Sequence, residues 1–319
     1  MKYISQNDEF VNWLRVMRVS QGFFFISAMP VLLGALLIRY HYPEVDVDLF
    51  TSFLILIGSL LYHLSADMTN EYYDHVNGND ALVDLKTPFN GGTGVLEEGL
   101  IAPKRVLHMS YLFFALGAMI SLWIAFRTNV YVLLFSLFGL VSCWAYTAPP
   151  LKLCYRGFGE LIIFLNNGLM VIGAIYMAFV GHLSMEMVLP SCMLGFLGVA
   201  IIVMNEIPDI NADRKVDKKN WVVRFGVENA VLIHKAAMLA SAASLIFAVV
   251  LGHLPWLCLI GLASPFTMKD KKVFTVMGVP DRDVEQLTIF CKTTIDLKFR
   301  TWGLVLVALI LTLAFRRVS

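Results

Sequence analysis

Residues 49–80 read LFTSFLILIGSLLYHLSADMTNEYYDHVNGND. The first half, from Leu49 to Ser65, is almost wholly apolar and approaches the length of about 20 residues that a helix needs to cross a bilayer. The second half, residues 67–80, carries four acidic residues. A membrane helix that runs directly into an acidic segment predicts both the fold class and the position of a functional site.

The composition extends this interpretation to the whole chain. Of its 319 residues, 58% are hydrophobic and 15% charged, and the mean hydropathy is +0.71. An ordinary soluble domain has about 45–50% apolar and about 25% charged residues. We therefore predict an all-α membrane bundle that forms a single domain over residues 1–319.

Neither charge nor cysteine content points to another class. The formal net charge of +1 gives no reason to expect nucleic acid as a partner, and nothing in the sequence indicates an obligate protein partner. The five cysteines form no CxxC pair, so neither a disulfide framework nor a zinc site is indicated. The polar N-terminus lacks a small-residue cleavage site after its first apolar run, so we expect that run to be retained as a helix.

Nine membrane spans are expected around a central cavity, of which the eighth is the shortest. Their approximate limits are Val19 to Ile38, Leu49 to Ser65, Val106 to Phe126, Val130 to Tyr146, Leu161 to Val180, Met187 to Met204, Ala230 to Leu251, Leu254 to Phe266 and Thr301 to Phe315. The last helix is expected to begin earlier, near Arg282, because no strong helix breaker separates Asp283 from Arg300.

Lysine and arginine in the connections predict the orientation. With the N-terminus inside, 21 of the 25 basic residues fall on the inner side, where such residues are retained. Two long polar connections, about residues 67–105 and 205–229, then lie on the cytoplasmic side as inner cap loops. Each of them opens with an acidic cluster.

The first acidic cluster has helical spacing. Asp67, Asn70, Glu71 and Asp74 follow one another at i, i+3, i+4 and i+7, which places them on one helix face if the second span continues this far. Gly78 offers a helix end, after which we expect Asp80 and Asp84 to return over the same site.

The second cluster repeats the pattern. Asn205, Asp209 and Asp213 again have Asn and Asp one turn apart. Carboxylates crowded at a membrane helix end repel one another and lose water, so the two clusters together call for a cation. Mg²⁺ is the expected ion, because it prefers oxygen ligands and is commonly shared with substrate phosphates.

Two other interpretations fit the same residues. In the first, the clusters are solvated loop ends where helices happen to stop, which is a reasonable interpretation of either cluster by itself. In the second, the protein is a cation transporter and the carboxylates line a permeation path. Transporter sites lie near the bilayer midplane, whereas these clusters lie at helix ends beside basic loops suited to an anionic substrate. The enzyme interpretation is therefore preferred.

Several stretches resemble one enzyme family. The two clusters, followed by Lys218-Lys219 and Val222-Val223-Arg224-Phe225-Gly226, are similar to the two aspartate motifs of the UbiA superfamily of prenyltransferases. Within it the chain most resembles the MenA type, which prenylates 1,4-dihydroxy-2-naphthoate. Three stretches support that branch: Gly91-Gly92-Thr93-Gly94-Val95-Leu96, Tyr146 to Lys152, and Tyr155 to Glu160. Glu71 departs from the family pattern, where Asp is usual, as does Asp67, where Asn is expected.

The resemblance implies Mg²⁺-dependent transfer of a prenyl group from a prenyl diphosphate to an aromatic acceptor in menaquinone biosynthesis, in a bacterial or archaeal plasma membrane. Asn70, Asp74, Asp209 and Asp213 are the implied catalytic residues. The implied metal ligands are Asn70, Glu71, Asp74, Asp80, Asn205, Asp209 and Asp213. Hydroxybenzoate, homogentisate, a tetrapyrrole and a lipid stay open as alternative acceptors.

Further substrate contacts are expected from basic and aromatic residues near the clusters. They are Lys152, Arg156, Lys218 and Arg224 for the diphosphate, and Tyr72 and Tyr146 for the developing prenyl cation. Simple positive-inside anchoring is the alternative for each basic residue. Asn166 and Asn167 lie midway into the fifth span, where polar residues are often functional, and we expect Asn167 to contact the acceptor. Hydrogen bonding between helices is the alternative for both residues.

Overall fold

A computed structural model describes residues 8–19, 26–268 and 283–316. Every regular element in these ranges is a helix, which confirms the predicted all-α class. The α-helices are α1 Glu9–Val16, α2 Ala28–His41, α3 Leu49–Val76, α4 Pro103–Arg127, α5 Val132–Ala145, α6 Gly159–Asn166, α7 Leu169–Phe179, α8 Val188–Glu206, α9 Ile210–Lys215, α10 Trp221–Val250 and α11 Val284–Arg316. Short 3₁₀ helices occupy Asp80–Leu82, Leu153–Arg156, Met185–Met187 and Trp256–Thr267.

The expected number of spans is present in the described ranges. Six helical segments are long and apolar enough to cross a membrane, and three shorter apolar helices accompany them: Ala28–His41, Val132–Ala145 and Trp256–Thr267. The first span is predicted to begin at Val19, but residues 20–25 of that span lie outside the described ranges. Arg282, near which the last helix is predicted to begin, also lies outside them. The eighth span is indeed short, since 12 residues of 3₁₀ helix extend about 24 Å.

The second and last spans are longer than their apolar runs. Helix α3 continues past Ser65 to Val76, so the acidic residues of the first cluster do lie on a helix. Helix α11 has 33 residues and therefore extends roughly 50 Å, well beyond the thickness of a bilayer core. Both helices thus carry polar side chains from water into the apolar interior.

The fifth span is broken at its centre. Helix α6 ends at Asn166 and α7 starts at Leu169. A Cβ atom at Gly168 between them would collide with the Ser191 carbonyl oxygen of α8, so glycine permits the close approach. The break exposes the side chains of Asn166 and Asn167 to the interior of the bundle.

Helix α8 forms the centre of the bundle. In its most apolar 18-residue window 72% of the residues are buried, compared with 33–39% in the other five long segments. The outer surface, in contrast, carries large exposed apolar side chains such as Phe126, Leu137 and Leu239. A surface of this kind faces lipid rather than water, and the chain is therefore an integral membrane protein.

Candidate active site

The end of α3 presents three members of the first cluster, Asp67, Asn70 and Asp74, to an internal cavity. The Asn70 amide donates to Asp74 Oδ2 at 3.1 Å, one helical turn further on. The Tyr155 hydroxyl donates to the other oxygen, Asp74 Oδ1, at 2.9 Å. Asp74 is buried, so these bonds hold its carboxylate in a fixed orientation.

The chain turns at Gly78, as expected, and brings Asp80 back over the end of α3. Gly78 has a φ of +76°, which glycine adopts without steric cost. Burial raises the pKa of Asp80 to about 8, and the nearby carboxylates of Asp74 and Glu71 add to the effect. Asp84 does not join the site: its side chain is exposed and does not line the cavity, because the chain has already turned outward.

Glu71 anchors the glycine-rich loop. The backbone N–H of Thr93 donates to its Oε1 at 2.8 Å, the Thr93 hydroxyl donates to the same oxygen, and Arg18 donates to Oε2 at 3.4 Å. One oxygen of Glu71 still lies within 4.8 Å of an oxygen of Asp80 and one of Glu97. Next in the loop, Gly92 packs so tightly on the Asp80 carboxylate that a Cβ atom would collide with it.

The second cluster follows α8. Burial raises the pKa of Asp209 to about 7, and Asp213 contributes further. Two amides from the first inner loop reach across to this cluster: Asn90 donates to Asp209 at 2.5 Å and Asn79 donates to Asp213 at 2.7 Å. The structure therefore brings together the two clusters that the sequence shows 131 or more residues apart.

Lys218 joins the two clusters electrostatically. Its Nζ lies 3.0 Å from Asp74 Oδ2 and 3.6 Å from Asp213 Oδ1. Burial alone would lower the pKa of Lys218, but the carboxylates of Asp213 and Asp74 outweigh that effect and raise it well above its ordinary value. A positive charge is thus stabilised between the two acidic residues.

The donor set fits a hard divalent cation. Asp80 Oδ2 and Asn205 Oδ1 are buried and have no hydrogen-bond partner among the described residues. Buried oxygens without a partner are costly, and carboxylate and amide oxygens are the ligand types that Mg²⁺ takes. The same cavity also holds Asn70, Asp74, Asp209 and Asp213.

The cavity has a volume of about 230 Å³ and changes character with depth. Its acidic end is formed by the two clusters. Further in, its walls are apolar and include Ile162, Ile163, Ile201 and Ile202, and two polar side chains, Asn167 and Lys298, lie among them. A smaller cavity of about 120 Å³ is also lined by Asn166 and Asn167.

Among the remaining predicted substrate contacts, Tyr146, Asn167 and Lys218 line this cavity, but four residues do not. Arg156 donates to the Pro150 carbonyl oxygen at 2.9 Å, and Arg224 donates to the Lys219 and Arg156 carbonyl oxygens. Lys152 donates to Asn77 at 3.3 Å, and Tyr72 packs edge-on against Tyr73. Their bonding is structural in this arrangement.

Four residues of the site were not identified from the sequence: Asn79, Asn90, Tyr155 and Lys298. Asn79 lies between Gly78 and Asp80, and Asn90 precedes Gly91. Because the sequence pattern assigns these neighbours to the site, their position along the chain could have indicated the two asparagines. Lys298 was counted only among the inner basic residues, because α11 also carries Lys292, Asp296 and Arg300 and no local signal separates Lys298 from them.

The fold and the site together define a helical membrane protein with an internal cavity. The acidic end of this cavity is suited to a cation, and its inner part is apolar. Comparison with known proteins gives the family. The model of the UbiA prenyltransferase family matches residues 27–268, and the chain belongs to this family of membrane enzymes that transfer prenyl groups. This membership favours the enzyme interpretation over the transporter alternative.

Individual relatives agree with this assignment. The chain is 26% identical over 255 residues to the 1,4-dihydroxy-2-naphthoate octaprenyltransferase of Bacillus subtilis, covering 80% of this chain and 79% of the relative. The enzyme of the same name from Escherichia coli is 28% identical, with 70% and 74% covered. The fold matches the structure of a UbiA homolog from Archaeoglobus fulgidus bound to GPP and Mg²⁺ with a TM-score of 0.60 at 16% identity, covering 92% and 99% of the two chains.

Proposed function

We propose that this enzyme transfers a prenyl group from a prenyl diphosphate to 1,4-dihydroxy-2-naphthoate in a Mg²⁺-dependent reaction of menaquinone biosynthesis. The observation that carries the proposal is the convergence of Asp74 and Asp213 on one cavity, with Lys218 between them. The acceptor is supported by the relatives from Bacillus subtilis and Escherichia coli, which are named 1,4-dihydroxy-2-naphthoate octaprenyltransferases.

In this proposal the cation ligands come from both clusters. Asn70, Asp74 and Asp80 contribute from one side, and Asn205, Asp209 and Asp213 from the other. Glu71 is a less direct contributor, because Thr93 and Arg18 already occupy its oxygens. Bound Mg²⁺ would neutralise the diphosphate and, as a Lewis acid, make it a better leaving group.

Lys218 contacts the diphosphate in this proposal. Its ammonium group is already held at the acidic end by Asp74 and Asp213, so it needs little reorganisation to donate to phosphate oxygens. Asn79 and Asn90 hold Asp213 and Asp209 in position from the opposite loop. These contacts fix the leaving group before the bond to the prenyl carbon breaks.

The inner part of the cavity receives the prenyl and acceptor carbons. Its isoleucine walls exclude water from a cationic prenyl carbon, which would otherwise be captured by solvent. The aromatic ring of Tyr146 lines the same space and offers a face that attracts positive charge. An apolar acceptor ring fits among the same walls. As the new carbon–carbon bond forms, the diphosphate departs from the prenyl carbon and the acceptor loses its carboxylate as CO₂.

We further propose one integral membrane domain over residues 1–319, with loops 67–105 and 205–229 forming a cytoplasmic cap over the acidic end. The bonds from Asn79 and Asn90 to the second cluster support a joint cap. The excess of lysine and arginine in the inner connections supports the cytoplasmic orientation in a bacterial or archaeal plasma membrane.

Product formation by the purified enzyme in detergent tests the proposal. Radiolabelled prenyl diphosphates are offered with dihydroxynaphthoate and with the alternative acceptors, with and without Mg²⁺. We expect Mg²⁺-dependent prenylation of dihydroxynaphthoate, lost in Asp74→Ala and Asp209→Ala but retained in Asp84→Ala, which removes an exposed carboxylate of the same loop. Turnover without a divalent cation, or equal loss in all three variants, would contradict the proposed site.

A further inference from the structure

Lys298 is a buried lysine in the interior of the helical bundle. Its residue is 1% exposed, and its Nζ donates to Asn167 Oδ1 at 2.9 Å. No carboxylate among the described residues pairs with it. A lysine has three N–H donors, so this contact leaves two of them for another acceptor.

Such a lysine is costly, and its position does not relieve the cost. Its side chain is buried among the helices, so water does not solvate the charge. Burying a cation with one neutral partner is unfavourable by several kcal/mol as an order of magnitude. A bound anion would remove that penalty.

Lys298 faces the same cavity as the acidic clusters but at a greater depth. Its partner Asn167 packs on α8 at Gly198, where a Cβ atom would come within 3.3 Å of the asparagine Cβ. Gly198 precedes Asn205 by seven residues, a distance of roughly 10 Å along α8. Lys298 is therefore too deep to belong to the cation and diphosphate end.

The local bonding orients Asn167 toward the lysine. Its amide nitrogen donates to the Ile163 carbonyl oxygen at 3.0 Å, which leaves its side-chain oxygen for Lys298. The neighbouring Asn166 is used differently, because its amide donates to Ser142 at 2.9 Å. Around the lysine the walls are apolar, with Ile26, Ile201 and Ile295 packed together.

We propose that Lys298, positioned by Asn167, binds the carboxylate of an aromatic acid acceptor, and that this pair makes the enzyme select acidic over neutral aromatic rings. The inference rests on the proposed function, which it deepens by naming the residues that bind the carboxylate of the acceptor. An apolar part of the cavity that contains one buried basic group is suited to an aromatic ring that carries one anionic group. A carboxylate there restores a counter-ion to Lys298 while the ring contacts the isoleucines.

A ring-matched pair of unreactive probes tests the subsite directly. Binding of 2-naphthoate and of 2-naphthol is measured for the full-length enzyme in detergent, beside Mg²⁺-dependent binding of an unreactive prenyl diphosphate analogue. We expect Lys298→Met to weaken 2-naphthoate binding about tenfold or more, as for the loss of a charge-assisted hydrogen bond, and to change 2-naphthol binding less than about twofold. Lys298→Gln, which keeps a donor for Asn167 without the charge, should behave likewise.

Lys292→Met is the matched control, since Lys292 is an exposed lysine of the same helix. This substitution should leave the binding of 2-naphthoate, 2-naphthol and the diphosphate analogue unchanged. Retained binding of the diphosphate analogue shows that a variant is folded. The inference is overturned if the wild-type enzyme does not bind 2-naphthoate, or if both Lys298 variants bind it as the wild type does, or if they lose both probes equally.

Failure of the proposed function gives a different pattern. If the enzyme binds 2-naphthoate through Lys298 but does not prenylate dihydroxynaphthoate, the acceptor assignment fails while the carboxylate subsite stands. If it prenylates a neutral acceptor and ignores aromatic acids, the subsite fails while the Mg²⁺-dependent chemistry stands.

Discussion

The two ends of the cavity each contain a largely buried lysine, but the two lysines have different partners. At the acidic end, Lys218 is held by two carboxylates within 4 Å and several amides fix those carboxylates in turn. At the deep end, the one partner that the described residues give Lys298 is the neutral amide of Asn167. The comparison indicates that the acidic end is preorganised by its own ion pairs and is completed by a cation, whereas the deep end is completed by an anionic ligand.

The largest effect at the acidic end is expected from Lys218→Met. Removing one partner of a buried ion pair leaves Asp74 and Asp213 facing each other without a counter-ion, at a cost of about 3–5 kcal/mol. We expect kcat/KM to fall about 100-fold or more. Without Mg²⁺ the variant should unfold at a much lower temperature than the wild type. Added Mg²⁺ should reduce this difference in unfolding temperature.

Lys298→Met provides the contrast for that measurement. Because Lys298 has no ionic partner among the described residues, its removal should leave stability unchanged or improved in the absence of acceptor. Equal destabilisation by the two substitutions would show that the two ends are not different in the way described.

The glycine loop offers the next sharpest test. In Gly92→Ala the new Cβ would collide with the Asp80 carboxylate, and φ at this position is +65°. We expect about 10- to 100-fold lower kcat/KM, because a displacement of a ligand by a fraction of an ångström is costly in a preorganised site. The Mg²⁺ concentration required for half-maximal activity should also rise.

Gly99→Ala separates backbone strain from that steric effect. Gly99 has a similar φ of +68°, but no atom lies within 4 Å of the position of its Cβ. Both variants should lose about 1–2 kcal/mol of stability from the left-handed backbone, but Gly99→Ala should keep most of its activity. Equal activities of the Gly92→Ala and Gly99→Ala variants would show that the contact between Gly92 and Asp80 is not needed for catalysis.

Asn90→Ala should have an intermediate effect. It removes a hydrogen bond of 2.5 Å to Asp209 and with it one of the two amide contacts from the first loop. A hydrogen bond to a charged group contributes about 1.5–3 kcal/mol, so we expect roughly tenfold weaker Mg²⁺-dependent diphosphate binding. Asn229→Ala, at an exposed asparagine of α10, is the control and should bind normally.

The smallest effect is expected from Arg156→Ala and Arg224→Ala. Both side chains are exposed and bond to backbone carbonyl oxygens away from the cavity. Activity should change less than about threefold, in keeping with exposed charged contacts. A large rise in the KM of the diphosphate would return these arginines to the substrate site, where the sequence alone had placed them.

This contrast also shows what the sequence could predict. The helix period placed Asn70 and Asp74 together, and the repeated pattern identified Asp209 and Asp213, because these residues are neighbours along the chain. The nine spans followed from apolar run length in the same way. Such features depend on local spacing, which is visible without a fold.

Features that depend on packing between distant segments were not predictable. Asn167 and Lys298 are 131 positions apart, and nothing in their local sequence shows that α6 and α11 meet. The outward turn of Asp84 and the backbone bonds of Arg156 likewise depend on how the loops close. A basic residue near an acidic loop looks the same in sequence whether it contacts a ligand or a carbonyl oxygen.

The central claim is that the two clusters bind one Mg²⁺-diphosphate unit jointly, and a double-mutant cycle on Asp74 and Asp213 tests it most directly. Mg²⁺-dependent binding of an unreactive prenyl diphosphate analogue is measured for wild type, Asp74→Asn, Asp213→Asn and the double variant. The account predicts that each single change removes most of the binding and that the double change costs little more. Strictly additive losses, or binding that does not need Mg²⁺, would contradict a shared site.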